Sequence, residues 1–213
     1  MRRLHYDRVC ASEGPELFVS ATNVRSGKVK VFEGEEITTD AILASACLPT
    51  VFRAVDIEDK VTGRTEAYWD GGFSGNPALF PLYKPSLPDD IVIISINPLW
   101  REDLPTTALD IQNRINEVSF NASLLAQLRA VRFVVELLEQ GKVARGAMKD
   151  VKIHLISDDA VMNDLSPATK LTPTPYLLFK LNEAGRAAAT KFLREHKAKI
   201  GRESSVNLRE LIS

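Results

Sequence analysis

Cysteine is scarce: Cys10 and Cys47 are the two in 213 residues. Two thiols make neither a disulfide framework nor a tetrahedral zinc site, so reduced, buried thiols and a cytoplasmic chain are expected. Histidine is nearly as rare. His5, His154 and His196 lie far apart, and each reads more readily as a surface or satisfied core side chain than as a base or ligand. Neither sign of charge dominates, with 27 Lys and Arg against 28 Asp and Glu. That balance argues against nucleic-acid binding, which needs a cationic excess to neutralise phosphates. It argues equally against a polybasic membrane anchor. No window is expected to approach the roughly 18 apolar residues of a membrane span. The longest aliphatic run in mid-chain is Ile91-Val92-Ile93-Ile94. Met1-Arg2-Arg3 runs on into His5, Tyr6 and Asp7 rather than an apolar stretch, so a signal peptide is not expected. There is no phosphate-binding loop, metal cluster, internal repeat or low-complexity tract, and no cofactor is expected.

What remains is ordinary globular material. Hydrophobic residues make up 45% and charged residues 26%, which excludes intrinsic disorder. The length suits one domain, alone or with an appendage. Such a chain should bury about 70% of its unfolded surface.

Several elements can be placed by pattern. Leu17–Asn23 and Val29–Phe32 read as a hairpin turning at Arg25-Ser26-Gly27. Thr38 or Thr39 caps a short helix carrying Ile42, Leu43 and Ala46, which must stop near Pro49. Phe52–Ile57 and Glu66–Asp70 read as strands. Asp90–Asn97, continuous and β-branched, is the best candidate for a central strand. From Thr106 or Thr107 to Gln140 a helix, unbroken or kinked, carries an apolar stripe from Ile111 through Ile115, Val118, Ala122, Leu125, Leu128, Val131 and Val135 to Leu138. Core packing is the simplest role for that stripe, with Arg114, Arg129 and Arg132 on a solvated face. Val151–Ser157 reads as a strand and 158–175 as a loop. Asn182 is expected to cap a final long helix closed by Gly201, and 205–212 to form a short tail helix. Mixed strands followed by alternating strand and helix give an α/β layered fold.

The most informative stretch is Asp70-Gly71-Gly72-Phe73-Ser74-Gly75-Asn76-Pro77. Its glycines permit tight turns and close backbone approach. A carboxylate at a strand end on such a loop has two readings. It can be a turn Asp accepting backbone N–H groups, or a reactive group where α/β folds place them.

Four landmarks weigh on that choice: Phe18-Val19-Ser20-Ala21-Thr22-Asn23, Ala44-Ser45-Ala46-Cys47-Leu48-Pro49, Tyr68-Trp69-Asp70-Gly71-Gly72 and Gly75-Asn76-Pro77. In this order they resemble the C-terminal half of a patatin-like phospholipase domain. The remainder resembles the C-terminal extension of a bacterial subgroup of that family. The resemblance implies a layered patatin-like sheet with flanking helices, residues 1–97 forming the half-domain and 98–213 a mainly helical extension packed on it. It implies a lipid acyl hydrolase acting on a lipid or other acyl ester through a Ser–Asp dyad, with no His. Asp70 would be the catalytic Asp, Gly71 and Gly72 would shape its approach, and Asn76 would brace the loop. A free serine hydroxyl is a poor nucleophile and needs such a base, and the developing oxyanion needs preorganised N–H donors.

The family's Gly-x-Ser-x-Gly is not in this sequence. Its nearest match is Gly72-Phe73-Ser74-Gly75-Asn76, with Asn76 in the place of the last glycine. A glycine triplet for the oxyanion is missing as well. The expectation is therefore a fragment that lacks the N-terminal nucleophile half and is inactive alone. A noncatalytic α/β interaction or regulatory module is the alternative. Ser74 as a substitute nucleophile is the weaker possibility, because it shares a loop with Asp70. Asn97-Pro98-Leu99-Trp100 could line an acyl pocket, touch lipid as a peripheral membrane contact, or simply pack on its own domain. Asn121-Ala122-Ser123 matches a glycosylation pattern but falls in mid-helix. Oligomeric state is left open.

Overall fold

The computed structural model describes residues 14–60, 62–165, 169 and 172–213. Cys10 and His5 lie outside them. The chain divides into two compact units on either side of Pro81 and Leu82. Its mixed α/β character matches the sequence reading, with the strands distributed over two sheets.

The first unit is built on a four-stranded antiparallel sheet in the order β2-β1-β4-β3. Its strands are β1 (Phe18–Asn23), β2 (Val29–Glu33), β3 (Val55–Asp59) and β4 (Arg64–Asp70). The β1–β2 turn is held by Asn23, whose Oδ1 accepts the N–H groups of Arg25 and Ser26 at 3.1 and 2.9 Å. Helix α1 (Thr39–Ser45) is capped by the Thr38 hydroxyl, which accepts the Ala41 N–H. It buries Ala41 and Ala44 in a core completed by Ala21, Phe32, Ile37 and Tyr68. Phe32 and Tyr68 meet edge to face, 5.5 Å between ring centres.

The second unit holds a two-stranded parallel sheet of β5 (Asp90–Ser95) and β6 (Lys152–Ser157). The sequence places Asp90–Ser95 with residues 1–97; among the described residues its only strand partner is β6. One face of β5, Ile91 and Ile93, is buried, while Val92 and Ile94 on the other are exposed, Ile94 by 73%. The strand thus has one paired edge and one covered face, short of the central position expected. Asp90 ties three segments together. Its Oδ1 lies 2.8 Å from Nε2 of the fully buried His154 and accepts the Gly201 N–H at 2.8 Å. Burial pushes the Asp90 carboxyl up, but the Gly201 N–H and the His154 ring pull it below the ordinary carboxylate range. His154 is thus a core histidine.

Helix α2 (Ala108–Glu139) is unbroken and capped by Thr107. Its buried face departs from the expected stripe over the first half of the helix, while Leu128 and Val131 of that stripe are buried. Glu117, Asn121, Leu124, Leu128 and Val131 are buried, while Ile111, Ile115 and Val118 are exposed. The cause is polar. Glu117, 1% exposed, takes a two-pronged bond from Arg101 at 2.8 and 2.7 Å and a third contact from Arg114. Asn121 donates to the Pro98 carbonyl at 2.9 Å. Arg114 therefore belongs to a buried ion cluster, and Arg132 pairs with Glu136 at 2.8 Å. The same contacts pin the Pro98–Arg101 loop, whose Trp100 side chain stands 71% exposed rather than packed. Contrary to the sequence expectation, α2 is long and apolar enough, by length and composition alone, to cross a membrane.

The 158–175 stretch contains a short helix, α3 (Asp159–Asn163). Helix α4 (Pro175–His196) starts a full two turns before Asn182, with Thr174 as its cap and Pro175 in its first turn. Asn182 lies inside it. Helix α5 (Leu208–Ile212) is the expected tail helix.

Removing the charge from Glu117 should strand Arg101. We expect Glu117→Gln to cost about 2–3 kcal/mol in urea unfolding. Trp100, already exposed, should report the loosened loop by a fall in fluorescence anisotropy. An unchanged midpoint would mean that the pair contributes nothing.

Candidate functional site

The site is the loop that leaves β4. Asp70 ends that strand opposite Ala21 of β1 and caps a single turn of 3-10 helix, Gly71–Phe73. Its backbone is held from both sides. The N–H donates to the Cys47 carbonyl at 2.9 Å, and the carbonyl accepts from the Thr22 hydroxyl at 2.8 Å. Two of the landmarks, the β1 strand and the Ala44–Pro49 segment, are therefore the clamps on the third.

The carboxylate is oriented as well. Oδ1 accepts the Gly72 N–H at 2.7 Å. Among the described residues its second oxygen accepts no hydrogen bond. Burial raises the Asp70 pKa above the ordinary carboxylate value, and the Gly72 N–H offsets part of that rise. The group is a half-buried, aimed carboxylate with one oxygen available, which suits proton acceptance. Asp70 is a turn Asp through Oδ1.

Gly71 is required by contact rather than by backbone angle. A Cβ there would stand 2.7 Å from the carbonyl carbon of Ser20 and closer still to its oxygen. Gly71 and Gly72 are both buried. The Gly71 carbonyl accepts from the N–H groups of Ser74 and Gly75, closing the turn at 3.1 and 2.8 Å. A Cβ on Gly75 would press on Ala78 at 3.0 Å. Asn76 precedes Pro77 through a cis peptide bond.

Ser74 meets Thr22 on this loop, their hydroxyls 2.8 Å apart, and either can be the donor. The Thr22 hydroxyl also bonds the Asp70 carbonyl. Ser20 bonds the other side of the loop, donating to the Gly75 carbonyl at 3.4 Å.

Residue-type reasoning alone missed Thr22, Ser20 and Cys47. Thr22 is the one buried polar side chain on β1, but Ser20 and Asn23 in the same strand leave it no distinguishing sequence signal. The Cys47 thiol donates to the Arg53 carbonyl at 3.1 Å, and its pKa is raised by burial and by the nearby charge of Asp70. It is a packed, protonated thiol. Among the described residues no three His, Cys, Asp or Glu side chains are grouped to hold a metal ion.

Residues 13–83 match the family model for patatin-like phospholipase. The match spans about a third of the chain and ends just beyond the loop, so Asp70, Gly71, Gly72 and Asn76 all fall inside it. A search of curated proteins returned no match.

Two outcomes follow from this geometry. Gly71→Ala should destabilise the protein by about 3 kcal/mol, because backbone cannot yield as a flexible side chain does. Gly27→Ala, in open space at φ +67°, should cost only about 1–2 kcal/mol. Equal losses in thermal melts would dismiss the steric account. Second, a carboxyl whose pKa rises on folding binds its proton better in the folded state. Its ionisation opposes folding above the folded-state pKa; that penalty fades as pH falls through the folded-state pKa and is gone below the ordinary carboxylate value of 3.8. Asp70→Asn keeps the acceptor for Gly72 and should therefore raise the melting temperature at pH 7, with the gain shrinking toward pH 3. A lower melting temperature at pH 7 would contradict the assignment.

Proposed function

We propose that the patatin-like segment carries the acid–base half of a serine acyl hydrolase that cleaves lipid or other acyl esters. Asp70 acts as the base of a Ser–Asp dyad, and the observation that carries this reading is its aimed carboxylate, fixed through Oδ1 by Gly72 within the family match. The open oxygen would receive the proton of a serine hydroxyl as that oxygen attacks the ester carbonyl. Formation of the acyl-serine expels the alcohol, which takes the proton back from Asp70. Water, deprotonated in turn by Asp70, then releases the carboxylic acid. Gly71 and Gly72 let the backbone approach closely, and Asn76 braces the far side of the loop.

The serine comes from a segment not contained in this sequence. No Gly-x-Ser-x-Gly occurs in it, and Ser74 shares a loop with Asp70 and bonds the Thr22 hydroxyl. The chain alone is then inactive and, with reduced thiols and balanced charge, cytoplasmic. A noncatalytic interaction module is the second reading, favoured by the same missing motif.

Intact-mass spectrometry after fluorophosphonate treatment separates these. The chain alone should gain no adduct. Fused to a Gly-x-Ser-x-Gly half-domain of a patatin-like protein, it should gain one adduct and hydrolyse p-nitrophenyl esters, and Asp70→Asn should lower that hydrolysis at least 100-fold. An adduct on Ser74 would overturn the fragment reading. A folded fusion with neither adduct nor hydrolysis would favour the module.

A further inference from the structure

The two sheets treat their edges differently. The outer strands of the first are blunted by charge: β2 carries Lys30 and Glu33, and β3 carries Asp56, Glu58 and Asp59. Charged side chains on an edge discourage another strand from adding to it. In the two-stranded sheet the outer edge of β6 is covered from within. The Ile153 N–H donates to the Ser204 hydroxyl and the Ile153 carbonyl accepts the Ser205 N–H, both at 3.0 Å. The outer edge of β5 has neither device. From Ile91 to Ile96 it carries no charge, no proline and no glycine. Among the described residues no strand pairs with it on that side.

The register of the ladder identifies the bare groups. The Asp89 carbonyl accepts the Lys152 N–H at 2.9 Å. Successive residues of a strand direct their N–H and C=O groups to opposite sides, so Asp89, Ile91 and Ile93 face β6 while Val92 and Ile94 face the free edge. The side chains of Val92 and Ile94 stand on the uncovered face, 46% and 73% exposed, and Ile96 follows at 67%. Many apolar surfaces could cover those side chains. Only an extended backbone pairs with alternating donors and acceptors at strand spacing, so the occupant is a strand. The edge is also held rigid at its start. Lys149 donates to the carbonyls of Leu82, Lys84 and Leu87, each at 2.9 Å, and so fixes the turn that leads into β5. Asp90 is tied to His154 and Gly201.

We propose that this strand is β5 of a second copy of the chain, paired antiparallel about a two-fold axis at Ile93, which gives one four-stranded sheet in the order β6-β5-β5-β6. The sequence fits itself in reverse. Val92 of one copy stands opposite Ile94 of the other, and each such pair exchanges both backbone bonds. Asp90, the one charged residue of β5, meets Ile96 rather than a second carboxylate, so no like charges are opposed. The two-fold axis keeps both uncovered faces on one side, and Val92, Ile94 and Ile96 of the two copies join in a single apolar strip. Antiparallel pairing needs no connecting segment, whereas parallel addition calls for a crossover. The contact is isologous and closes at two copies. Both outer edges of the joined sheet are then β6, already covered by Ser204 and Ser205. The pairing is independent of the hydrolase reading, since it needs no nucleophile.

Sedimentation equilibrium of the full chain from about 1 to about 200 µM tests this directly. Contacts one strand wide are small, so a monomer–dimer equilibrium with a Kd on the order of 10 µM is expected. Ile94→Pro removes one edge-facing donor and leaves the β5–β6 ladder intact. Ile94→Lys places a charge in the central pair. Each should raise the Kd at least ten-fold, with circular dichroism unchanged. Hydrogen exchange reads the register: the Val92 and Ile94 amides should slow as concentration rises. A chain that stays monomeric at about 200 µM would overturn the proposal. So would a dimer with the same Kd in the parent, Ile94→Pro and Ile94→Lys, because its interface then lies elsewhere. A monomer whose Val92 and Ile94 amides slow only when a Gly-x-Ser-x-Gly half-domain of a patatin-like protein is added would assign the edge to that segment and overturn self-pairing. A chain that fails fluorophosphonate labelling in every form yet dimerises through β5 keeps this interface and loses the hydrolase reading.

Discussion

Gly71 rests against the backbone of Ser20 so closely that a single added carbon has nowhere to go. This contact sets the geometry of the first unit. It brings the end of β4 onto β1, which places the Asp70 carbonyl under the Thr22 hydroxyl and the Asp70 N–H on Cys47. Those bonds fix the direction in which the Asp70 side chain leaves the strand. A loop held at three backbone points can present a half-buried carboxylate without the side chain collapsing onto other donors. The raised basicity of Asp70 is a by-product of the same burial.

Much of the first unit was legible in the sequence, because its signals are local. The Asn23–Ser26 turn, the Thr38 cap and the alternation of β1 each act over a few residues. The Asp70 loop announced itself by its glycines. The partners of that loop did not, since Thr22 and Cys47 are 48 and 23 residues away and have no pattern of their own. Periodicity misled on α2 for a physical reason. A stripe of Ile and Val is normally the buried one, but here the neighbouring face carries Glu117 and Asn121, whose partners Arg101 and the Pro98 carbonyl lie on a preceding loop. A buried ion cluster outweighs apolar periodicity when its geometry is two-pronged. The start of α4 was missed because Pro175 looked like a loop residue, although proline is at home in a first helical turn.

The two units solve the problem of polar burial differently. The first uses hydroxyls and glycines around one acid, with bonds to backbone and one between two hydroxyls. The second uses charge: Glu117 with Arg101, and Asp90 with His154 and Gly201. Both clusters tie segments distant in sequence to a single carboxylate. Glu117 accepts on both oxygens, whereas Asp90 and Asp70 each accept on Oδ1 alone. Asp70 differs from Asp90 in basicity: burial raises its pKa, while the Gly201 N–H and His154 hold that of Asp90 down.

Lys149 adds a last consequence. An ammonium ion is a tripod, and three converging carbonyls are the coordination sphere that a small monovalent cation would find attractive. The turn from Leu82 to Leu87 is thus organised around a cation that is tethered covalently to the chain and is never lost to dilution. Arginine cannot replace it, because a flat fork does not meet three carbonyls at one point. With the Lys149 ammonium donating to the carbonyls of Leu82, Lys84 and Leu87, each at 2.9 Å, that turn carries its own cation, and any chemistry that acylates the amine would remove it.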